Sequence, residues 1–197
     1  MDTIHKLQEL FARFPGIGPR QAGRFVQYIL RSSPSFRREL ADAIARLGDE
    51  VKRCADCQRF FAGTRTLCGI CGNTQRDQSL LMVVAQETDI DAIERADTYR
   101  GHYFILGGTM MLGQDTQPHL REAELLSTIK KRVASGLTEV ILALPANPEG
   151  DTTAAHLKEK IAPLIGTISI LGRGLSTGSE LEYADVNTIR AALQGRG

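Results

Sequence analysis

Long apolar runs, a secretory leader and spare cysteines are all missing from this chain of 197 residues, and each absence narrows its chemistry. No stretch approaches the ~20 consecutive apolar residues that a membrane-spanning helix requires. Met1-Asp2-Thr3-Ile4-His5-Lys6 lacks the basic-then-apolar layout of a signal peptide, so a cytoplasmic chain is expected. There is no Gly-x4-Gly-Lys-Ser/Thr loop to cradle a nucleotide and no Gly-x-Ser-x-Gly elbow to raise a serine nucleophile. The four histidines, His5, His102, His119 and His156, are scattered without ligand spacing and read as surface or structural groups. Net charge is only +1, so bulk electrostatics names no partner. Internal repeats and low-complexity tracts are absent as well.

What is present is concentrated. Cys54, Cys57, Cys68 and Cys71 are the only cysteines, spaced Cys-x2-Cys-x10-Cys-x2-Cys. Two close pairs flanking a short loop can present four thiolates to one tetrahedral ion, and Zn²⁺ favours that arrangement. Gly69 and Gly72 let the backbone wrap tightly around it. Two disulfides are the competing reading, disfavoured by the spacing and by the expected reducing compartment. A closed four-cysteine site stabilises a fold and leaves no position open for substrate, so the zinc speaks of architecture.

The chain's organisation follows from its periodicity. Residues 1–53 read as helices: Ile4, Leu7, Leu10, Phe11 and Phe14 recur at three and four, then Pro15-Gly16-Ile17-Gly18-Pro19 interrupts. A second helix carries Ala22, Phe25, Val26, Ile29 and Leu30. A third, over about 35–52, places Leu40, Ala43, Ile44 and Leu47 inside. The zinc module occupies 54–72. Beyond residue 79, continuous apolar strands (80–84, 102–106, 140–144, 167–171) alternate with helices expected at 88–97, 119–135 and 151–162, with a loop at 109–118. Thr88 or Asp89 would cap the first of these helices. Unalternating strands joined by helical crossovers imply a parallel α/β domain, taken as 79–174. A tail, 175–197, ends in a short helix near 185–194.

Two constellations carry possible chemistry. The first is Phe14-Pro15-Gly16-Ile17-Gly18-Pro19-Arg20 between two helices. A Gly-x-Gly turn at a helix start frees N–H groups for an anion, and Arg20 and Arg24 fall on one helix face. Such a pair grips phosphates without reading bases. The element resembles a helix-hairpin-helix, a sequence-independent DNA-binding device, so Gly16, Ile17, Gly18, Arg20 and Arg24 are candidate DNA contacts. A plain turn that needs glycine for its backbone angles is the alternative. Residues 1–38 carry seven basic against two acidic side chains, a local +5 that favours DNA.

The second constellation lies in the α/β part, whose strand order and Glu149-Gly150-Asp151 resemble a Toprim domain. Active Toprim enzymes hold Mg²⁺ with a glutamate ending the first strand and an Asp-x-Asp pair after a later one. Here those positions hold Ala85, Pro145 and Asn147, neutral groups that cannot strip Mg²⁺ of water. Glu87, Glu149 and Asp151 remain as weak candidates, for a partner or for a metal. A Toprim scaffold without its catalytic acids is expected. A Mg²⁺-dependent nuclease or strand-passing enzyme using Glu149 and Asp151 is the alternative, although no tyrosine among Tyr28, Tyr99, Tyr103 and Tyr183 is marked as a nucleophile.

The order of parts, helix-hairpin-helix, four-cysteine module, Toprim-like domain and Gly-rich tail, resembles the RecR family of bacterial recombination mediators along essentially the whole chain. The telling segments are Leu10-x3-Phe14 through Arg20, the four cysteines, Arg76-Asp77-x-Ser79-Leu80-Leu81, Tyr99-Arg100-Gly101-x-Tyr103-x2-Leu106-Gly107-Gly108, and Arg173-Gly174-Leu175 through Glu180, Tyr183 and Asp185. That resemblance implies a non-enzymatic DNA clamp, a homo-oligomeric (tetrameric) ring working with RecO-like and RecF-like proteins to help RecA displace single-strand-binding protein at gaps. Two loops depart from the family pattern, Ala85-Gln86-Glu87 and Pro145 to Asp151. Both lie where acids on the Toprim face could meet a basic partner.

Overall fold

The computed structural model describes residues 2–111, 119–172, 174–175, 178, 180–184 and 186–194. Arg173, Asp185 and most of the expected 109–118 loop lie outside the described residues. The chain forms two compact units, Met1–Val51 and Lys52–Gly197.

The first unit is helical: α1 (Thr3–Phe11), α2 (Pro19–Arg31) and α3 (Pro34–Glu50). Asp2 caps α1 by accepting the His5 N–H, and Ser33 caps α3 by accepting that of Phe36. Gly18 in extended conformation followed by Pro19 starts α2, so proline occupies the turn where a missing N–H costs nothing. Gly16 sits at φ +75°, a left-handed angle that glycine adopts freely. Helix α1 stops at Phe11, which leaves Phe14 in the turn and 57% exposed. Ala22 and Val26 of α2 are fully buried, and Phe11 meets Phe25 edge-on at 5.7 Å. The expected burial of α3 is not found: none of its residues is buried, and Ile44 and Leu47 are 61% and 59% exposed. The helical periodicity is there, but only its start is covered, where Phe36 meets Tyr28 of α2 edge-on and Leu40 is half-buried.

The second unit holds the short hairpin β1 (Val51–Arg53) and β2 (Phe60–Ala62), then β3 (Leu80–Val84), α4 (Glu87–Ala96), β4 (His102–Ile105), α5 (Glu122–Val133), β5 (Glu139–Ala143), α6 (Pro148–Ile161), β6 (Thr167–Ile170), a 3₁₀ turn (Leu181–Tyr183) and α7 (Val186–Gln194). Strands β3 to β6 form one parallel sheet in the order β4-β3-β5-β6. Alternation along each strand divides the core. Leu81, Val83, Phe104, Val140 and Leu142 meet Leu125 and Ile129 of α5 and Leu157 and Ile161 of α6. Met82, Val84, Tyr103, Ile105 and Ala143 meet Ile90 and Ile93 of α4 and Ile70 of the cysteine module. One face is thus roofed by two helices, the other by a helix and the cysteine module.

Helix starts depart from expectation. Helix α4 begins after Gln86, with the Asp89 carboxylate accepting the Gln86 N–H at 2.7 Å, so Asp89 closes the turn from inside the helix. Helix α6 begins at Pro148, three residues early, because Asn147 accepts the Gly150 N–H at 2.8 Å. Helix α5 spans only Glu122–Val133, since Arg121 is pinned outside it, its N–H on Leu106 O and its guanidinium on Ile105 O.

Candidate metal centre and nucleic-acid interface

The four cysteine sulfurs lie within 4.8 Å of one another, and this is the only such convergence of three or more potential ligand residues among the described residues. A tetrahedral ion with metal–sulfur bonds near 2.3 Å sets sulfurs about 3.8 Å apart. Cys57 and Cys68 stand at 3.6 Å, close to that spacing and far beyond a disulfide bond of ~2.05 Å. Cys54, Cys57 and Cys68 are buried and Cys71 partly so, and the Cys68 N–H donates to the Cys54 sulfur at 3.4 Å. Crowding sets the protonation. The Cys57 thiol is pushed up chiefly by its contact with Cys68, and Cys71 by Cys57 and Cys68, whereas hydrogen bonds from Cys57 and Cys71 pull Cys68 down. Four clustered thiols give up their protons together only against a cation. The donor set fits a metal ion held for structure.

This module is fastened to the sheet by contacts that the cysteine spacing does not reveal. Cys57 O accepts the Ile105 N–H at 2.9 Å, which covers the outer edge of β4. Arg132 at the end of α5 donates to Asp56, between the first two cysteines, at 3.1 Å. Arg59 bridges Glu87 at 3.1 Å and Asp91 at 2.9 Å, and the Phe60 N–H reaches the second Glu87 oxygen at 3.2 Å. Both oxygens of Glu87 are therefore engaged by the cysteine module, so this candidate acid acts as a fastener. Arg76, just beyond the module, makes a bidentate pair with Glu94 at 2.7 and 3.0 Å and donates to Gly101 O at 2.8 Å. Its guanidinium lies 5.5 Å from the centre of the Tyr103 ring, and Tyr103 Oη donates to Glu94. Arg76 holds the Glu94 carboxyl below its ordinary range.

The histidines behave as structural groups. His102 is buried with neither ring nitrogen partnered among the described residues, and burial, reinforced by Arg132, pushes it down to about 4. His119 Nε2 meets Thr109 O at 2.9 Å, and His156 meets Glu122 at 2.7 Å.

At the C-terminal ends of the strands, where an open parallel sheet gathers its ligands, β3 runs into buried Ala85 and β5 into Leu144-Pro145-Ala146-Asn147. Gly150 is wedged beneath that second loop: a Cβ built on it would stand 1.9 Å from Pro145 O. Glu149 and Asp151 follow in the first turn of α6, Glu149 half-buried and Asp151 exposed.

In the helical unit, Arg20 and Arg24 are exposed on α2, just after the Gly16–Gly18 turn. They line a groove of about 500 Å³ with Gly23, Gln27, Tyr28 and Arg31 of the same helix and Gln8 of α1. No carboxylate lines it, and among the described residues Arg20, Arg24 and Arg31 have no ion-pair partner. Sequence reasoning singled out the first two arginines and missed Gln27, Tyr28 and Arg31, although the spacing 20, 24, 27, 31 is one continuous helix face.

The parallel sheet in the order β4-β3-β5-β6, with its flanking helices, belongs to a Toprim domain: residues 79–171 match the family model for it. Residues 174–196 match that for the RecR C-terminal region. The chain is 39% identical to the recombination protein RecR of Roseiflexus castenholzii over 194 residues, 98% of this chain and 92% of that one. It is 38% identical to the RecR of a Jannaschia species over 199 residues (99% and 98%) and 37% identical to that of Frankia alni over 198 (98% and 95%). The chain belongs to the RecR family of recombination proteins.

Proposed function

We propose that this chain is a DNA-binding recombination mediator of recombinational repair that grips DNA without regard to sequence and leaves it uncut. The observation that carries the reading is the row of arginines without carboxylate partners behind the Gly16–Gly18 turn, in a groove whose shape and charge suit a phosphate backbone. Gly16, Ile17 and Gly18 set the start of α2, and Arg20 and Arg24 supply the phosphate contacts. Zn²⁺ is the ion we assign to Cys54, Cys57, Cys68 and Cys71, because an all-thiolate tetrahedral set suits it and leaves no open position for catalysis.

Further support comes from the Toprim site itself. Neutral Ala85, Pro145 and Asn147 stand where Mg²⁺ ligands would be needed, and Glu87 is held by Arg59. Glu149 and Asp151 then serve as a partner-facing acidic pair for a RecO-like or RecF-like protein, upstream of RecA loading at single-strand gaps. Homo-oligomerisation into a ring is supported by apolar side chains left in solvent by one chain: Ile44 and Leu47 of α3, and Leu181, Tyr183 and Val186 near the C-terminus. A cytoplasmic location suits this role, and no helix among the described residues is long and apolar enough to cross a membrane.

The test is a gel-shift assay on gapped circular DNA, with and without Mg²⁺, comparing the wild type with Arg20→Ala/Arg24→Ala. A salt-sensitive shift that the double substitution removes, with the DNA left intact, is expected. Mg²⁺-dependent nicking or relaxation that Glu149→Ala abolishes would replace this reading with the nuclease or strand-passing one.

A further inference from the structure

The α2 groove holds more than the two arginines need. Arg20, Arg24, Gln27 and Arg31 stand at i, i+4, i+7 and i+11, a straight stripe along one face of the helix. Eleven residues of rise make that stripe about 16 Å long, enough for several successive phosphates. Beside it, Tyr28 falls four residues after Arg24 and three before Arg31, so it neighbours both. The residue is 65% exposed, and its ring meets that of Phe36 of α3 edge-on, centroids 5.9 Å apart at 87°. Phe36 thus steadies the ring without covering it.

An arginine row alone binds duplex and single strand through the same phosphates. An exposed aromatic ring within that row adds a platform that only an unstacked base can use, because base faces inside a duplex are already covered. The absence of any carboxylate in the lining suits a polyanion far better than a basic or neutral peptide. We infer that the α2 groove is a single-strand site, in which Arg20, Arg24 and Arg31 hold consecutive phosphates and Tyr28 stacks on a base. Tyr28 then turns a sequence-neutral DNA contact into one that prefers gaps and single-stranded tails. This inference rests on the reading of α2 as the DNA-contacting helix.

The experiment measures fluorescence anisotropy of a labelled oligothymidylate and of a duplex of equal length, with the full zinc-loaded chain. Wild type is compared with Tyr28→Ala, Tyr28→Phe and Arg20→Ala/Arg24→Ala, and sedimentation velocity is run on each. Tyr28→Ala should weaken single-strand binding about 5- to 160-fold, the range of one lost base–aromatic stack. Duplex affinity should stay within about twofold, since only phosphate contacts serve it. Tyr28→Phe should restore the single-strand preference. If Tyr28→Ala weakens both DNAs alike, or neither, while the arginine double variant weakens both, the stacking site is wrong and the DNA-binding reading stands. If the arginine double variant leaves both affinities unchanged, that reading fails and this inference with it. A shift in association state for Tyr28→Ala would place the ring in an interface between copies and overturn the inference.

Discussion

Gly150 and the Arg76–Glu94 pair show how much of the second unit depends on single side chains. A methyl group at Gly150 has nowhere to go, because the atom it meets is the backbone carbonyl of Pro145 rather than the end of a flexible chain. Gly150→Ala should cost about 1–3 kcal/mol by overpacking, read as a lower urea midpoint at unchanged slope. An unchanged midpoint would mean that the Pro145–Asn147 loop sits elsewhere. The Glu94 carboxyl, lowered first by Arg76 and then by Tyr103, makes a second prediction. A carboxyl whose folded pKa is depressed stabilises the fold above its unfolded value, about 4.3 for glutamate, and loses that contribution as pH falls through the folded value. Wild-type stability should therefore fall below about pH 4.3 more steeply than that of Glu94→Gln. Parallel pH profiles for the two proteins would remove Glu94 from the account. Arg100 and Tyr103 also face this carboxyl, so the comparison is made with Glu94 changed and Arg76 intact.

At the scale of elements, the cysteine module acts as a missing layer of the α/β sandwich. One sheet face is covered by α5 and α6, whereas the other has α4 alone, and Ile70 of the module completes that side. The module also seals the β4 edge through Cys57 and Ile105 and ties down α4 through Arg59. Metal removal should therefore loosen β4 and α4 before β5 and β6. Hydrogen exchange after chelation, or in Cys57→Ser, should show protection lost first over 87–106 and retained over 139–170, with partial loss of helical circular dichroism. Unchanged exchange and circular dichroism would end the structural role assigned to the metal. These contacts tie the metal centre to the sheet and its helices.

For the whole molecule, the proposed function sets a distribution of roles. The helical unit carries the cationic groove, and the α/β unit carries the metal centre and the acids of α6. Binding through phosphates releases counterions, at about 0.7–0.9 per contact in the slope of log affinity against log salt. Arg20→Ala/Arg24→Ala should reduce that slope by about 1.4–1.8, in addition to lowering affinity. A loss of affinity at constant slope would mean that the two arginines act by supporting the fold of the hairpin. Both are exposed, so stability should be nearly unaffected by their removal.

The local chemistry of this protein was legible from its chain. Four cysteines at two-residue spacing admit few arrangements other than one tetrahedral centre. The apolar runs at 80–84, 102–106, 140–144 and 167–171 have the texture of buried parallel strands. The glycines and prolines of 15–19 force a turn ahead of a basic helix. What needed tertiary structure depends on distance between remote residues. Glu87 looked like a candidate ligand until Arg59, twenty-eight residues away, was found to hold it. The early start of α6 follows from one side-chain cap and from Gly150 fitting under Pro145, which propensity does not encode. The exposure of α3 was hidden because periodicity reports an apolar face and says nothing about what covers it. In the sequence Tyr28 stood out only as a tyrosine not marked as a nucleophile, and its position beside Arg24 and Arg31, open to solvent and against Phe36, made it a candidate for contact with a base. Spacing along the chain determines which chemistry is possible, and packing between distant segments decides which side chains remain free to perform it.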